Sequence, residues 1–201
     1  MSLSRYLSKR TVNTLSKHNS FNKEDPEIIE YGLTIFFATI LKFAVVFLLA
    51  LSLGLLREIL LCAFVFGMLR SFAGGIHAKT PFGCLISMIF VYFSVYLLAS
   101  VIQYSNLLFW ASLVFCLITL LAYAPADTAE KPVLNKRQIK IMKLCSVLTL
   151  IIIYILTFHF FTEMTKNIII LSCIFECITL LPFVYTITKT ERGDKYNEEM
   201  E

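Results

Sequence analysis

Long apolar runs, interrupted by only a few charges, dominate this chain from residue 28 to residue 188. They constrain the fold more than any other feature. A backbone in lipid has no water to satisfy its N–H and C=O groups, so apolar segments of about 20 residues cross a bilayer as helices. The chain has 201 residues, 58% hydrophobic and only 16% charged. Soluble domains carry about 25% charged residues, so there is too little polar surface here to coat a water-facing sphere. The expected fold class is all-α, a polytopic transmembrane helical protein.

Six apolar segments in three hairpins are expected: 33–56 with 59–73, 85–102 with 107–124, and 144–162 with 168–188. The breaks within the hairpins fall at Arg57-Glu58, at 103–106 and at 163–167. The second segment is short and carries Arg70 near its end, so it either spans or re-enters the membrane. Residues 1–27 do not span. Leu3, Leu7 and Leu15, with Tyr6 and Val12, follow helical spacing beside Arg5, Lys9, Arg10 and Lys17. That pattern suits an amphipathic helix lying on the inner leaflet, with a disordered basic tail as the alternative. Asp25-Pro26 and Gly32 are expected to punctuate the passage into the first span. No signal peptide is expected, because the apolar run begins only near Ile28. Residues 28–188 then form the transmembrane domain and 189–201 a charged cytoplasmic tail.

Basic residues are divided unequally. Fifteen of the eighteen lie in the N-terminal region, the 70–84 stretch, the 125–143 loop and the tail. The other side has only Arg57 and Lys166, with Lys42 inside the first span. This asymmetry assigns both termini, residues 70–84 and the basic loop to the cytoplasm. The net charge of +4 therefore reports topology and anionic lipid, not nucleic acid.

Chemistry concentrates in residues 70–84, which hold Arg70, Gly74, Gly75, His77, Lys79, Thr80, Pro81 and Cys84. On one straight helix His77 and Cys84 would stand about 10 Å apart along the axis, too far for a proton transfer. Thr80-Pro81 removes that obstacle, because a residue before proline avoids the helical region. Thr80 is then an N-cap, Pro81 the first helical residue, and Cys84 part of the first turn. A thiol there faces the positive end of the helix dipole, and Lys79 or Arg70 adds to the field. Gly74-Gly75 allows a sharp turn that brings His77 back over Cys84 as general base. Amides near Phe82 and Gly83, or Gly74 and Gly75, are candidates to receive an oxyanion. A histidine and a cysteine seven apart also occur in ordinary structural loops. Metal binding is not expected, since the segment has no second histidine and no carboxylate cluster.

The remaining cysteines, Cys62, Cys116, Cys145, Cys173 and Cys177, lie in or at the start of apolar runs and are expected to pack as small hydrophobes. His159 reads as a structural histidine or as part of a polar pathway. Lys42 either snorkels or pairs, with Glu176 as a candidate intramembrane partner. These charges sustain an alternative function, a membrane transporter or exporter of a small peptide. A noncatalytic membrane partner of a signalling protein is a third reading, in which Cys84 is dispensable.

The stretch Arg70, Gly74-Gly75-Ile76-His77-Ala78 and Cys84 after Thr80-Pro81 resembles the accessory gene regulator B (AgrB) membrane endopeptidases of Gram-positive bacteria. Ala124-Pro125-Ala126-Asp127 followed by Lys131-Pro132 is similar to that family's basic loop, and the likeness covers nearly the whole chain. The resemblance implies a cysteine peptidase that cuts the C-terminal tail from an AgrD-like propeptide. Cys84 retains the new carboxyl end as a thioester, which an internal Cys or Ser of the peptide captures as a thiolactone or lactone for quorum sensing. It makes Cys84 the nucleophile and His77 the base, with Arg70 and Gly75 supporting substrate or loop geometry. Asp127 is a distant candidate for a third member. No cofactor is implied. Expected partners are the propeptide, the lipid bilayer and a second copy of the chain in a homodimer. The 125–143 loop either attracts an acidic propeptide tail or enforces topology.

Overall fold

The computed structural model describes residues 3–15, 25–76, 80–126 and 136–188, and the described residues are helical apart from short connections. They form α1 (Leu3–Leu15), α2 (Asp25–Ser52), α3 (Leu56–Ala73), α4 (Pro81–Val101), α5 (Asn106–Tyr123), α6 (Lys136–Phe160), α7 (Glu163–Thr179) and α8 (Pro182–Thr188). The all-helical expectation holds.

Residues 1–54 form one compact unit and residues 55–201 another. In the first, α1 packs along α2. Ser8 shares a 2.7 Å hydrogen bond with Thr34, and Arg5 lies 3.8 Å from Glu30. Among the described side chains of α1, Ser4, Ser8 and Val12, four residues apart, are buried, while Tyr6 stays exposed and Leu7 half-buried. Small residues let the helices approach, which leaves larger apolar side chains on other faces. The first span starts earlier and ends earlier than expected. Its helix begins at Asp25, runs through Gly32 and stops at Ser52, with Gly54 at φ +71°. The break is therefore at 53–55 and not at Arg57-Glu58. Glycine at positive φ ends a helix without a Cβ penalty, whereas charges alone do not.

Among the described residues, four helices are long and apolar enough to cross a membrane: Glu27–Ser52, Pro81–Val101, Asn106–Tyr123 and Arg137–Phe160. A fifth is reached if α7 and α8 count as one span bent by 68°. The expected count of six is thus not confirmed among the described residues. Segment α3 falls short because its 18 residues include Arg57, Glu58 and Arg70. The last segment is broken at Leu180-Leu181, where Pro182 lacks the N–H that would continue the helix.

In the second unit α7 is the central helix, packed by α3, α4, α5 and α6. Sequence neighbours are not always packing neighbours: α4 lies on α3 and α7, whereas α5 lies on α6 and α7. The position of α7 follows from its polar groups, which have no partners in lipid. Asn167 Nδ2 donates to the Ile102 carbonyl at 2.6 Å, Ser172 Oγ to Cys62 Sγ at 3.3 Å, and Glu176 meets Arg70. Around α7 the core holds Leu69, Cys116, Leu120, Leu150, Ile170 and Cys173. Four cysteines expected to pack, Cys62, Cys116, Cys173 and Cys177, are buried, and Cys145 is partly so. The outer surface is apolar, with Phe90, Val101, Leu107 and Ile118 exposed, as lipid-facing helices require.

Candidate functional site

The ends of α3, α5 and α7 meet at one end of the second unit. Helix α3 stops at Ala73, after which Gly74 takes φ +78° and Gly75 φ +123°. Only glycine adopts such angles without strain. This turn is clasped by the chain leaving α5: Gly75 N–H donates to the Ala126 carbonyl at 3.0 Å, and Ala126 N–H to the Ala73 carbonyl at 2.8 Å. Gly74 and Ala126 form an isolated parallel β-bridge. A Cβ on Gly74 would collide with the Ala126 carbonyl oxygen. The two stretches singled out in the sequence, around Gly74-Gly75 and Ala124–Ala126, are therefore one piece of structure.

Arg70, in the last turn of α3, organises the inner side of this turn. Its Nη1 lies 3.2 Å from Glu176 Oε2, its Nη2 donates to the Ile76 carbonyl, and its guanidinium stands 5.6 Å from the Phe66 ring. Phe66 in turn meets Tyr92 of α4 edge-on, with centroids 5.8 Å apart. Glu176 is fully buried, and among the described residues its Oε1 has no hydrogen-bond partner. A Cβ on Gly75 would stand 3.0 Å from Arg70 Nη1, 3.0 Å from Thr179 Oγ1 and 3.4 Å from Glu176 Oε1. Gly75 thus lies over the ion pair with room for a hydrogen only.

At the start of α4 the expected cap is present. Thr80 has extended φ −119°, ψ 145°, its Oγ1 accepts from Gly83 N–H at 3.0 Å, and Pro81 opens the helix. Cys84 lies in the first turn, half-buried, with its N–H bonded to the Thr80 carbonyl at 3.0 Å. Three residues separate Ile76 from Thr80, so chain geometry keeps the α4 start within about 14 Å of the turn. His77, Lys79 and Asp127 lie outside the described residues.

The structure thus brings Arg70, Gly74 and Gly75 together, and it tethers Thr80 and Cys84 to the same end of the bundle. Glu176 is paired with Arg70, and one expectation is corrected. Of the four amides named for an oxyanion, Gly83 is taken by Thr80, Gly74 by the Arg70 carbonyl and Gly75 by Ala126. The rival reading through His159 gains little, since that ring is exposed and rests edge-on against Phe158 at 5.2 Å. Sequence reasoning missed Thr179 and the role of Glu176. The signal for Glu176 was present: a lone carboxylate in an apolar segment needs a cation, and Arg70 was the cation nearest the chemistry. Among the described residues no cluster of three His, Cys, Asp or Glu could hold a metal.

The profile of the family described as Accessory gene regulator B matches residues 8–180. A protein of Clostridium acetobutylicum carrying the name AgrB-like is 30% identical over 185 residues, covering 92% of this chain and 88% of its own. Another with the same name, from Listeria welshimeri, is 27% identical over 91% of both chains. A third, from Clostridium beijerinckii, is 30% identical over 88% of both. No solved structure matches the chain.

Proposed function

This chain belongs to the accessory gene regulator B family and has its role in agr quorum sensing at the membrane, and from that premise we propose that it is a cysteine endopeptidase. Its substrate is an AgrD-like propeptide, Cys84 is the nucleophile and His77 the general base. The observation that carries this reading is the Thr80 cap, which starts α4 four residues before Cys84 and keeps that thiol in an accessible first turn. The first turn of a helix is a position where reactive cysteines are found.

The chemistry runs in two steps. His77 takes the Cys84 proton as sulfur attacks the scissile carbonyl, then gives it to the departing amine of the propeptide tail. The retained thioester is captured by an internal Cys or Ser of the peptide, with Cys84 as leaving group. At a membrane boundary the bound peptide's own nucleophile is held close while water is scarce, which favours ring closure over hydrolysis. In this reading the site faces the cytoplasm, which the excess of basic residues on its side supports.

Co-expression with the small propeptide of the adjacent reading frame tests this. Wild type cleaves it, while Cys84→Ala and His77→Ala do not. Unchanged cleavage in Cys84→Ala would sink the peptidase reading and favour a transporter of a preformed peptide.

A further inference from the structure

A buried carboxylate half-used by its partner is the feature of this molecule that the proposed chemistry does not absorb. Glu176 sits at the end of α7, fully buried, with Oε2 on Arg70 at 3.2 Å and Oε1 without a hydrogen-bond partner among the described residues. An ion pair kept only to join α3 to α7 would be expected to satisfy both oxygens, because an unpaired buried acceptor is destabilising. Here the second oxygen faces Gly75 instead, 3.4 Å from where a Cβ would stand. The same guanidinium that holds Oε2 also donates to the Ile76 carbonyl. Thr179, one turn on, donates its hydroxyl to the Glu176 carbonyl at 2.8 Å, which leaves its Oγ1 3.5 Å from Oε2.

We propose that Glu176 is a positioning residue, which acts through Arg70 to fix the Gly75-Ile76 turn from which the chain continues to His77. This inference rests on the peptidase reading, since it is His77 as base that the turn delivers. Arg70 suits the task because its planar fork holds two acceptors in fixed directions, a carboxylate on α7 and a carbonyl on the turn. A lysine ammonium has no such fork. The turn is thus held from both sides, by Ala126 through the backbone and by Glu176 through Arg70. Displacement of a catalytic group by about 1 Å lowers rates on the order of 100-fold, so a residue that never touches substrate can govern the reaction.

The test uses the full-length protein in detergent and iodoacetamide as probe, with the alkylation rate constant of Cys84 read by peptide mass spectrometry. A rate constant does not depend on how much protein folds, so a merely structural role lowers yield without moving it. His77→Ala sets the scale, with an expected fall of about tenfold. Glu176→Gln and Arg70→Lys fall as far, each judged on the monodisperse fraction, and either one alone is informative if the other fails to fold. Asn167→Ala, which removes a different buried polar contact of α7, loses yield but keeps the wild-type rate constant. If Glu176→Gln or Arg70→Lys reacts like wild type while His77→Ala is slow, the positioning role is overturned and the peptidase reading stands. An equal fall in Asn167→Ala also overturns it, since any loosening of α7 would then suffice. No fall in His77→Ala removes the base itself, and both readings go together.

Discussion

The backbone N–H of Gly75 donates to the carbonyl oxygen of Ala126 at 3.0 Å, across 51 residues of chain. Through that bond the turn after α3 and the exit of α5 share one short bridge. The bridge sits directly over the Arg70–Glu176 pair, whose carboxylate is buried. Backbone closeness of this kind depends on the absence of side chains, and it can be tested by adding them.

Gly74→Ala places a methyl group against the Ala126 carbonyl at a positive φ. It is expected to destabilise the protein by more than about 1 kcal/mol. Gly32→Ala is the control: that glycine is inside α2 with nothing within 4 Å, so alanine stabilises by about 0.5–1 kcal/mol. Thermal unfolding in detergent compares the two. Equal midpoints would mean that the Gly74–Ala126 bridge does not form.

Thr80→Ala removes the side-chain acceptor for Gly83 N–H. The expected loss is about 1 kcal/mol, with Thr80→Ser close to wild type because serine caps as well. Propeptide cleavage is expected to fall with Thr80→Ala and recover with Thr80→Ser. A Thr80→Ala protein as stable and as active as wild type would show that the cap does not hold the Cys84 turn.

Membrane orientation follows from the fifteen basic residues assigned to one side. A reporter active only outside the cytoplasm, fused after Gln103, is expected to be active, and one fused after Lys131 silent. The reverse pattern would put the Cys84 turn on the outer face and remove the propeptide from its reach.

Much of the candidate site was legible because it is local. Thr80, Pro81 and Cys84 fall within one helical turn, so a cap rule written for consecutive residues finds them. The glycine pair announced a turn for the same reason, and both glycines take positive φ. Glu176 was legible only as an intramembrane charge, with Lys42 as its candidate partner. Arg70 lies 106 residues away from it, with several apolar segments between that all offered equivalent surfaces.

By itself the sequence determined that the chain is helical and membrane-bound and where α4 begins, and it marked Arg70, Gly74-Gly75 and Cys84 as one candidate segment. Those properties depend on composition and on contacts within a few residues. Tertiary structure alone decided that α7 lies at the centre, that α4 and α5 pack on different neighbours, and that Arg70 pairs with Glu176 beneath Gly75. The physical reason is that lipid is as apolar as leucine, so hydrophobic pattern does not choose between helix partners. Small residues and buried polar groups make that choice. Their matches run across any distance in the chain and appear only when it is folded.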